Sequence, residues 1–486
     1  MYEPEPNRIK GEPMSTKTTD AAAAVTHVRG AFERGVTKPY AWRREQLEAL
    51  RSMILDNQEI LERALFRDLG KHATEAQTTE IGFVLTELDH TLRHLRRWLR
   101  PRRVAVPLVL APASARTVYE PLGTALIMGP WNYPVQLILA PLIGALAAGN
   151  AVVLKPSELA PATSEVLASL IPVYLDERAV TVVEGDVSVA SDLLAQRFDH
   201  IFFTGSTAVG RIVAKAASEN LTPVTLELGG KSPTFVDDTV DLVAAARRLV
   251  WGKLMNAGQT CVAPDYVLTT PRTADVLIPH LRRAIAEFYG EDPSLSVDYG
   301  RIITTRHTER LRDLLDGHDP VIGGRVDVDE QYVDPTVING VDPDSAIMTE
   351  EIFGPILPIV HVADATEAVR FISARDKPLS LYVFSDDPAV RRRFLRDTSS
   401  GAIAFGVPAA HLTVPDLPFG GVGASGMGAY HGELSFTTFS HAKAVLSKGL
   451  IPDTLSLVYP PFTEGKSAIA RRVIARTSPL LGGDDD

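Results

Sequence analysis

Residues 123–158 read GTALIMGPWNYPVQLILAPLIGALAAGNAVVLKPSE. An apolar run, Thr124–Met128, stops at a Gly-Pro pair. A longer apolar stretch, Pro134–Ala148, comes next, and beyond Gly149-Asn150 a second short run, Ala151–Leu154, ends on Lys155. Short, near-continuous apolar runs separated by a stretch of helix length predict parallel strands buried on both faces. The same rhythm continues through strands predicted at Val180–Val183 and His200–Phe203, with helices over Ala160–Leu170 and near Val187–Gln196. Sheets of this kind bind ligands outside the carboxyl ends of their strands. The pattern is that of a dinucleotide-type α/β domain, and an α/β domain without a nucleotide remains the alternative.

Towards the N-terminus, residues 21–100 carry helical periodicity. Val25, Val28 and Phe32 form one stripe, and Ile81, Val84, Leu85, Leu88, Leu92, Leu95 and Trp98 form another. Pro101 ends the second run, and Arg102–Glu120 alternates weakly, as a ribbon does. Towards the C-terminus a second α/β region runs from Gly229 to Ala410. Its predicted strands are Tyr266–Thr269, Ile356–Val360, Ser380–Phe384 and Ala402–Phe405; its predicted helices are Leu242–Leu254, Thr273–Phe288 and Thr366–Ala374.

A chain of 486 residues is too long for one core and predicts two or three domains. The net charge of −11 argues against general affinity for nucleic acid or anionic membrane. One cysteine forms no internal disulfide and excludes Cys-rich metal sites, which fits a reducing cytoplasm. The longest apolar stretch, Val135–Gly149, contains Pro141 and falls short of the roughly 18–20 residues that span a bilayer. The first twenty residues lack an apolar signal core and read as a loose arm, and the terminal GGDDD reads as a solvated tail.

Several segments carry chemistry. Cys261 sits in NAGQTCVAP (256–264), where small residues permit a tight turn and a reachable sulfur; a lone thiol is also commonly a small buried hydrophobe. Glu227 lies in TLELGGK (225–231) at a strand end, where burial would raise its pKa into the range of a general base; pairing with Lys231 is the alternative. Asn132, in GPWNYP (129–134), could donate to an oxyanion or serve as an Asx-turn or N-cap residue. Lys155 and Glu158 in KPSE are placed for a nucleotide's ribose or for an ordinary ion pair. FTGSTAVG (203–210) is a strand-to-helix turn that admits a close backbone approach. In EEIFGP (350–355), an extended backbone would turn Glu351 and Phe353 to the same side. The glycine-dense PFGGVGASGMG (418–428) reads as structural.

Taken together and in this order, PWNYP, KPSE, FTGS, LELGGKSP, GQTCVAP, EEIFGP and LPFGGVGASGMG resemble the aldehyde dehydrogenase superfamily over roughly residues 20 to 460. The VAPDY after Cys261, the YHG at Tyr430–Gly432 and the late FSH and YPP segments resemble its class 3-like branch, which includes fatty and coniferyl aldehyde dehydrogenases. The resemblance implies a Rossmann-type cofactor domain, an α/β catalytic domain and a small β oligomerisation element. Their expected bounds are 21–101 with 119–228 (NAD(P)-binding), 229–410 (catalytic), 102–118 with 411–450 (bridging), and 451–486 (C-terminal tail).

It also implies roles. Cys261 would be the nucleophile, Glu227 the general base, and Asn132 with the Cys261 N–H the oxyanion hole. Lys155 and Glu158 would hold the adenosine ribose, Gly205 and Ser206 would lie against the cofactor, and Glu351 and Phe353 would position its nicotinamide half. Tyr133 and Trp251 would wall the substrate pocket. The implied reaction is NAD-dependent oxidation of a medium- or long-chain aliphatic or an aromatic aldehyde through a Cys261 thioester, with NADP possible and a homodimer expected. No metal is implied. Some class 3 relatives end in a membrane anchor; here Ser467–Asp486 is basic and then acidic, so none is expected. The competing readings are a CoA-acylating dehydrogenase, which needs no water-activating base, and a non-catalytic protein on the same fold.

Overall fold

The computed structural model describes residues 20–107 and 110–477; most of the N-terminal arm and the GGDDD end lie outside the described residues. The chain divides into two units, one of Met1–Leu95 with Pro121–Phe439 and one of Arg96–Glu120 with Ser440–Asp486.

Two six-stranded sheets organise the first unit. In the cofactor-side sheet the strands lie in the order Gly426–Met427, Val224–Glu227, His200–Thr204, Thr124–Met128, Ala151–Lys155, Val180–Val182. All pairings are parallel except that of Gly426–Met427. Thr124–Met128 is the turning point: the chain winds outward from it on one side, then returns to build the other. Every residue of Thr124–Met128, Ala151–Lys155 and His200–Thr204 is buried, which explains why these strands read as continuous apolar runs. Ala21–Glu33, whose N-terminus is capped by Asp20, packs Ala24, Val25 and Val28 into the core around Leu126 and Val153.

The fully buried helix Gln136–Ala148 starts two residues beyond Pro134 and ends on Gly149, whose φ of 89° is left-handed. Its first N–H groups have no local side-chain cap. Glu80, 56 residues away, accepts from Val135 and Gln136 at 2.9 and 3.2 Å.

The second sheet is entirely parallel, in the order Thr336–Asn339, Ile356–His361, Tyr266–Thr269, Pro233–Val236, Ser380–Phe384, Ala402–Phe405. Two of these strands, Pro233–Val236 and Thr336–Asn339, escape the sequence reading. Each is four residues long and begins at or just after a proline, too little for a periodic signal.

The second unit contains a three-stranded sheet, Arg102–Val104, Ala113–Pro121 and Ser440–Lys448. Two expectations change here. Residues 411–439 belong to the first unit, where Gly426–Met427 pairs with Val224–Glu227, and the second unit resumes at Ser440. Within the expected tail, Glu464–Thr477 is a helix. Its Ala-, Arg- and Ile-containing sequence favours one, and Thr463 receives the N–H groups of Lys466 and Ser467 through its hydroxyl and carbonyl.

Candidate active site

Register places the chemistry. Met128 lies opposite both Lys155 and Phe203, and Thr204 lies opposite Glu227. The Asn132 loop, Lys155, Gly205 and Glu227 therefore all leave the carboxyl edge of one sheet. Cys261 comes from the other sheet, in the turn just before Tyr266–Thr269.

That turn is wound tightly. Asn256 and Ala257 both have φ of 52° and Gly258 has φ of 77°, three left-handed residues in succession. Gln259 braces the turn with its side chain: Nε2 donates to the carbonyls of Asn256 and Arg301, both at 2.9 Å, and Oε1 accepts from the Ile303 N–H at 2.9 Å. Asn132 Nδ2 donates to the Gln259 carbonyl at 3.0 Å, joining the two loops. A primary amide carries two N–H bonds, so the second is left for another acceptor. Asn132 is not a helix cap; Val135 holds that position without a side-chain hydrogen bond.

Cys261 is half-buried and lines a cavity of about 600 Å³. Burial, then the charges of Glu351 and Glu227, push its thiol pKa upward, while the N–H groups of Cys261 and Val262 favour the thiolate. Glu227 is 2% exposed, and neither carboxyl oxygen has a hydrogen-bond partner among the described residues. Burial alone holds its pKa well above the carboxylate range. Pairing with Lys231 is ruled out, because the Lys231 ammonium sits 2.5 Å from Asp265 and also donates to the carbonyls of Ile347 and Glu350.

Those bonds hold the EEIFGP loop in place, with a correction to its expected geometry. Phe353 has φ of 51°, so the segment is not extended and alternation does not align its side chains. Glu351 instead presses on Gly229, where an added Cβ would stand 1.9 Å from its carboxylate oxygen, and receives the Gly230 N–H. Burial raises its pKa to about 8. Phe353 stands edge-on to Trp131 at 5.3 Å.

Two of the cavities among the described residues adjoin the site. The one reached by Cys261 is mostly apolar; Tyr133, Trp251, Met255, Phe288 and Phe419 are among its walls, so both expected pocket residues line it. The second, about 760 Å³, is a polar cleft lined by Thr207, Arg211, Gly229, Gly230, Lys231, Glu351 and Lys377. Ser206 caps the helix Thr207–Ser218 beside it, accepting from Val209. Lys155 and Glu158 form a 3.1 Å ion pair at the sheet edge. A polar cleft with glycines and basic side chains at the edge of a parallel sheet fits a dinucleotide.

Lys71 and Glu80 carry no mark in the sequence, and Asn256, Tyr430 and His431 stand out there only as members of motifs. Tyr430 and His431 both line the apolar cavity. Lys71 and Glu80 are a fully buried ion pair at 2.5 Å. Nine residues separate the pair, which is no helical spacing, so the linear chain gives no signal.

The fold and the paired cavities define a dinucleotide-dependent enzyme built around a cysteine. Comparison with known proteins gives its family: the aldehyde dehydrogenase family model matches residues 1–445, and the chain belongs to that family. The dimeric NADP-preferring aldehyde dehydrogenase of Rattus norvegicus is 48% identical over 90% of this chain and 97% of its own. The rat aldehyde dehydrogenase family 3 member A2 is 47% identical over 91% and 92%. A substrate-bound aldehyde dehydrogenase from Staphylococcus aureus superposes with a TM-score of 0.91 at 44% identity, over 93% and 99% of the two chains. An indole-3-acetaldehyde dehydrogenase of P. syringae, 26% identical with a TM-score of 0.81 over 89% of each chain, was solved with NAD+. The reaction is therefore NAD(P)-dependent oxidation of an aldehyde to a carboxylic acid.

The junction of the two loops leaves no room at Gly258. Its φ is left-handed, and an added Cβ would stand 2.2 Å from the Gly354 carbonyl oxygen. Gly258→Ala is expected to displace the Cys261 turn and lower kcat/KM by about 100-fold, the order of loss for a misplacement near 1 Å; steady-state kinetics at saturating NAD check it.

Proposed function

We propose that Cys261 carries the acyl group as a thioester and that Glu227 activates the water that releases it. Supporting this is the pairing of a sulfur on an apolar cavity with a buried carboxylate whose oxygens have no partner among the described residues. The Cys261 sulfur attacks the aldehyde carbon as its proton passes to solvent water, and the carbonyl oxygen becomes an oxyanion. The free N–H of the Asn132 amide and the Cys261 N–H stabilise that charge; removing one such donor typically costs about 10²–10³ in rate. NAD(P), held in the polar cleft by residues such as Thr207, Arg211 and Lys231, would supply the hydride acceptor that oxidation of the adduct to a thioester requires. Glu227 then takes a proton from water, which adds to the thioester carbon, and the sulfur leaves with the acid released.

The apolar cavity favours medium- or long-chain aliphatic or aromatic aldehydes, because each buried CH₂ contributes about 0.8 kcal/mol. The Lys155–Glu158 pair supports NAD as the cofactor with NADP accepted: Glu158 suits a ribose hydroxyl, and Lys155 offsets its repulsion of a 2′-phosphate. One thiol that must stay reduced favours the cytoplasm. Among the described residues no helix is long and apolar enough to cross a membrane. In the second unit, exposed Leu446, Leu450 and Ile451 near the three-stranded sheet, together with a relative named as dimeric, favour a homodimer.

Cys261→Ser is expected to bind NAD normally, by fluorescence titration, and to lose dehydrogenase turnover; near-wild-type turnover contradicts the assignment. For Glu227, burial favours the protonated acid, so its base form accumulates only as pH rises above the ordinary carboxylate range. Wild-type turnover should therefore climb with pH, and Glu227→Gln should lose that rise and show an NADH burst followed by slow release. A rising profile unchanged in the variant removes Glu227 from the base role. Mass photometry should find a species of twice the 52.7 kDa chain mass.

A further inference from the structure

A buried ion pair outside the reacting centre sits directly behind the oxyanion loop. Lys71 and Glu80 are both 0% exposed at their side chains and 2.5 Å apart. Glu80 lies in Gln77–Ile81, a widened helical turn closed by a bond from the Gly82 N–H to the Gln77 carbonyl, five residues back; such turns recur at functional sites. Its second oxygen accepts from the Val135 and Gln136 N–H groups. Lys71 donates to the Asn132 carbonyl at 3.3 Å and lies 4.2 Å from the centre of the Tyr133 ring. The pair thus touches Asn132, Tyr133, Val135 and Gln136 at once.

The other side of the same peptide is held from the cysteine loop. Asn256 Nδ2 donates to the Asn132 carbonyl at 2.8 Å and to the Gln259 carbonyl at 3.2 Å. Tyr133 reaches across as well, its hydroxyl 2.7 Å from that of Thr260, the neighbour of Cys261. The Asn132 carbonyl is therefore a shared anchor, with an ammonium on one side and a carboxamide on the other. A buried ion pair adds little stability over apolar residues of the same volume, so stability alone does not account for this one.

We propose that Lys71 and Glu80 are positioning residues: the pair fixes the Asn132–Tyr133 segment so that the spare amide N–H of Asn132 points at the oxyanion formed on Cys261. This rests on the oxyanion role given to Asn132 above. Neither residue lines the polar cleft, and both reach the site through the Asn132–Tyr133 segment, so their loss should weaken transition-state stabilisation and leave cofactor binding and thiol reactivity intact.

The test uses the full-length enzyme with Lys71→Met/Glu80→Gln, which is neutral, keeps the volumes and retains an acceptor for the Val135 N–H. Three quantities are measured: kcat/KM for an aliphatic aldehyde, the dissociation constant of NAD, and the rate of Cys261 alkylation by iodoacetamide, a displacement that needs no oxyanion donor. The expected result is a fall of about 10–100-fold in kcat/KM with the other two within about twofold, the loss being of the order assigned to a misplaced or missing donor. The single variant Glu80→Gln should show the same split at about 3–10-fold, and serves if the double variant does not fold. Either a kcat/KM within twofold of wild type, or parallel losses in all three quantities, overturns the proposal. Asn132→Ala separates the two levels. If it keeps wild-type kcat/KM, the oxyanion reading itself is wrong; if it loses activity while the Lys71 and Glu80 variants do not, only the positioning role fails.

Discussion

The side-chain amide of Asn132 donates to the carbonyl of Gln259 across 3.0 Å of buried space, and the two halves of the site meet on that bond. Asn132 follows the central strand of one parallel sheet; Gln259 precedes a strand of the other. A carbonyl buried there must find a donor, because an unsatisfied one costs about 1–3 kcal/mol. Asn132 and Asn256 both satisfy it, and the Asn132 bond ties the loop after Thr124–Met128 to the turn that carries Cys261. The three left-handed residues Asn256, Ala257 and Gly258 turn the chain so that this carbonyl faces inward and the next side chains face the cavity.

The surroundings divide by polarity in the way the reaction needs. The protein offers a mostly apolar cavity with Cys261 among its walls and a polar cleft lined by Glu351 and Lys231. Burial raises the pKa of both Glu227 and Glu351. The Lys231–Asp265 pair holds the loop that presents Glu351, at the edge of the polar cleft, much as Lys71–Glu80 holds the loop that presents Asn132.

Much of this is legible in the linear chain because the central strands are buried on both faces, so Thr124–Met128, Ala151–Leu154 and His200–Phe203 read as unbroken apolar runs. Residues at strand ends, such as Lys155 and Glu227, are legible for the same reason: a charge stands out against such runs. Three kinds of feature are not legible. Short strands behind prolines, Pro233–Val236 and Thr336–Asn339, leave no period. Long-range satisfaction, such as Glu80 serving the helix at Gln136, has no local trace. Local geometry that depends on a left-handed residue overrides alternation, as at Phe353, where an extended reading of EEIFGP fails.

A covalent acyl group at Cys261 is the central step proposed for this enzyme, and rapid-quench peptide mapping of the wild-type protein tests it directly. Enzyme mixed with NAD and an eight-carbon aldehyde is quenched in acid within the first turnover, digested, and analysed by mass. The predicted result is an octanoyl group on the peptide containing Cys261, removable by hydroxylamine and appearing in step with NADH. NADH formed in the first turnover with no acyl group on Cys261, or with the acyl group on another residue, would contradict the account.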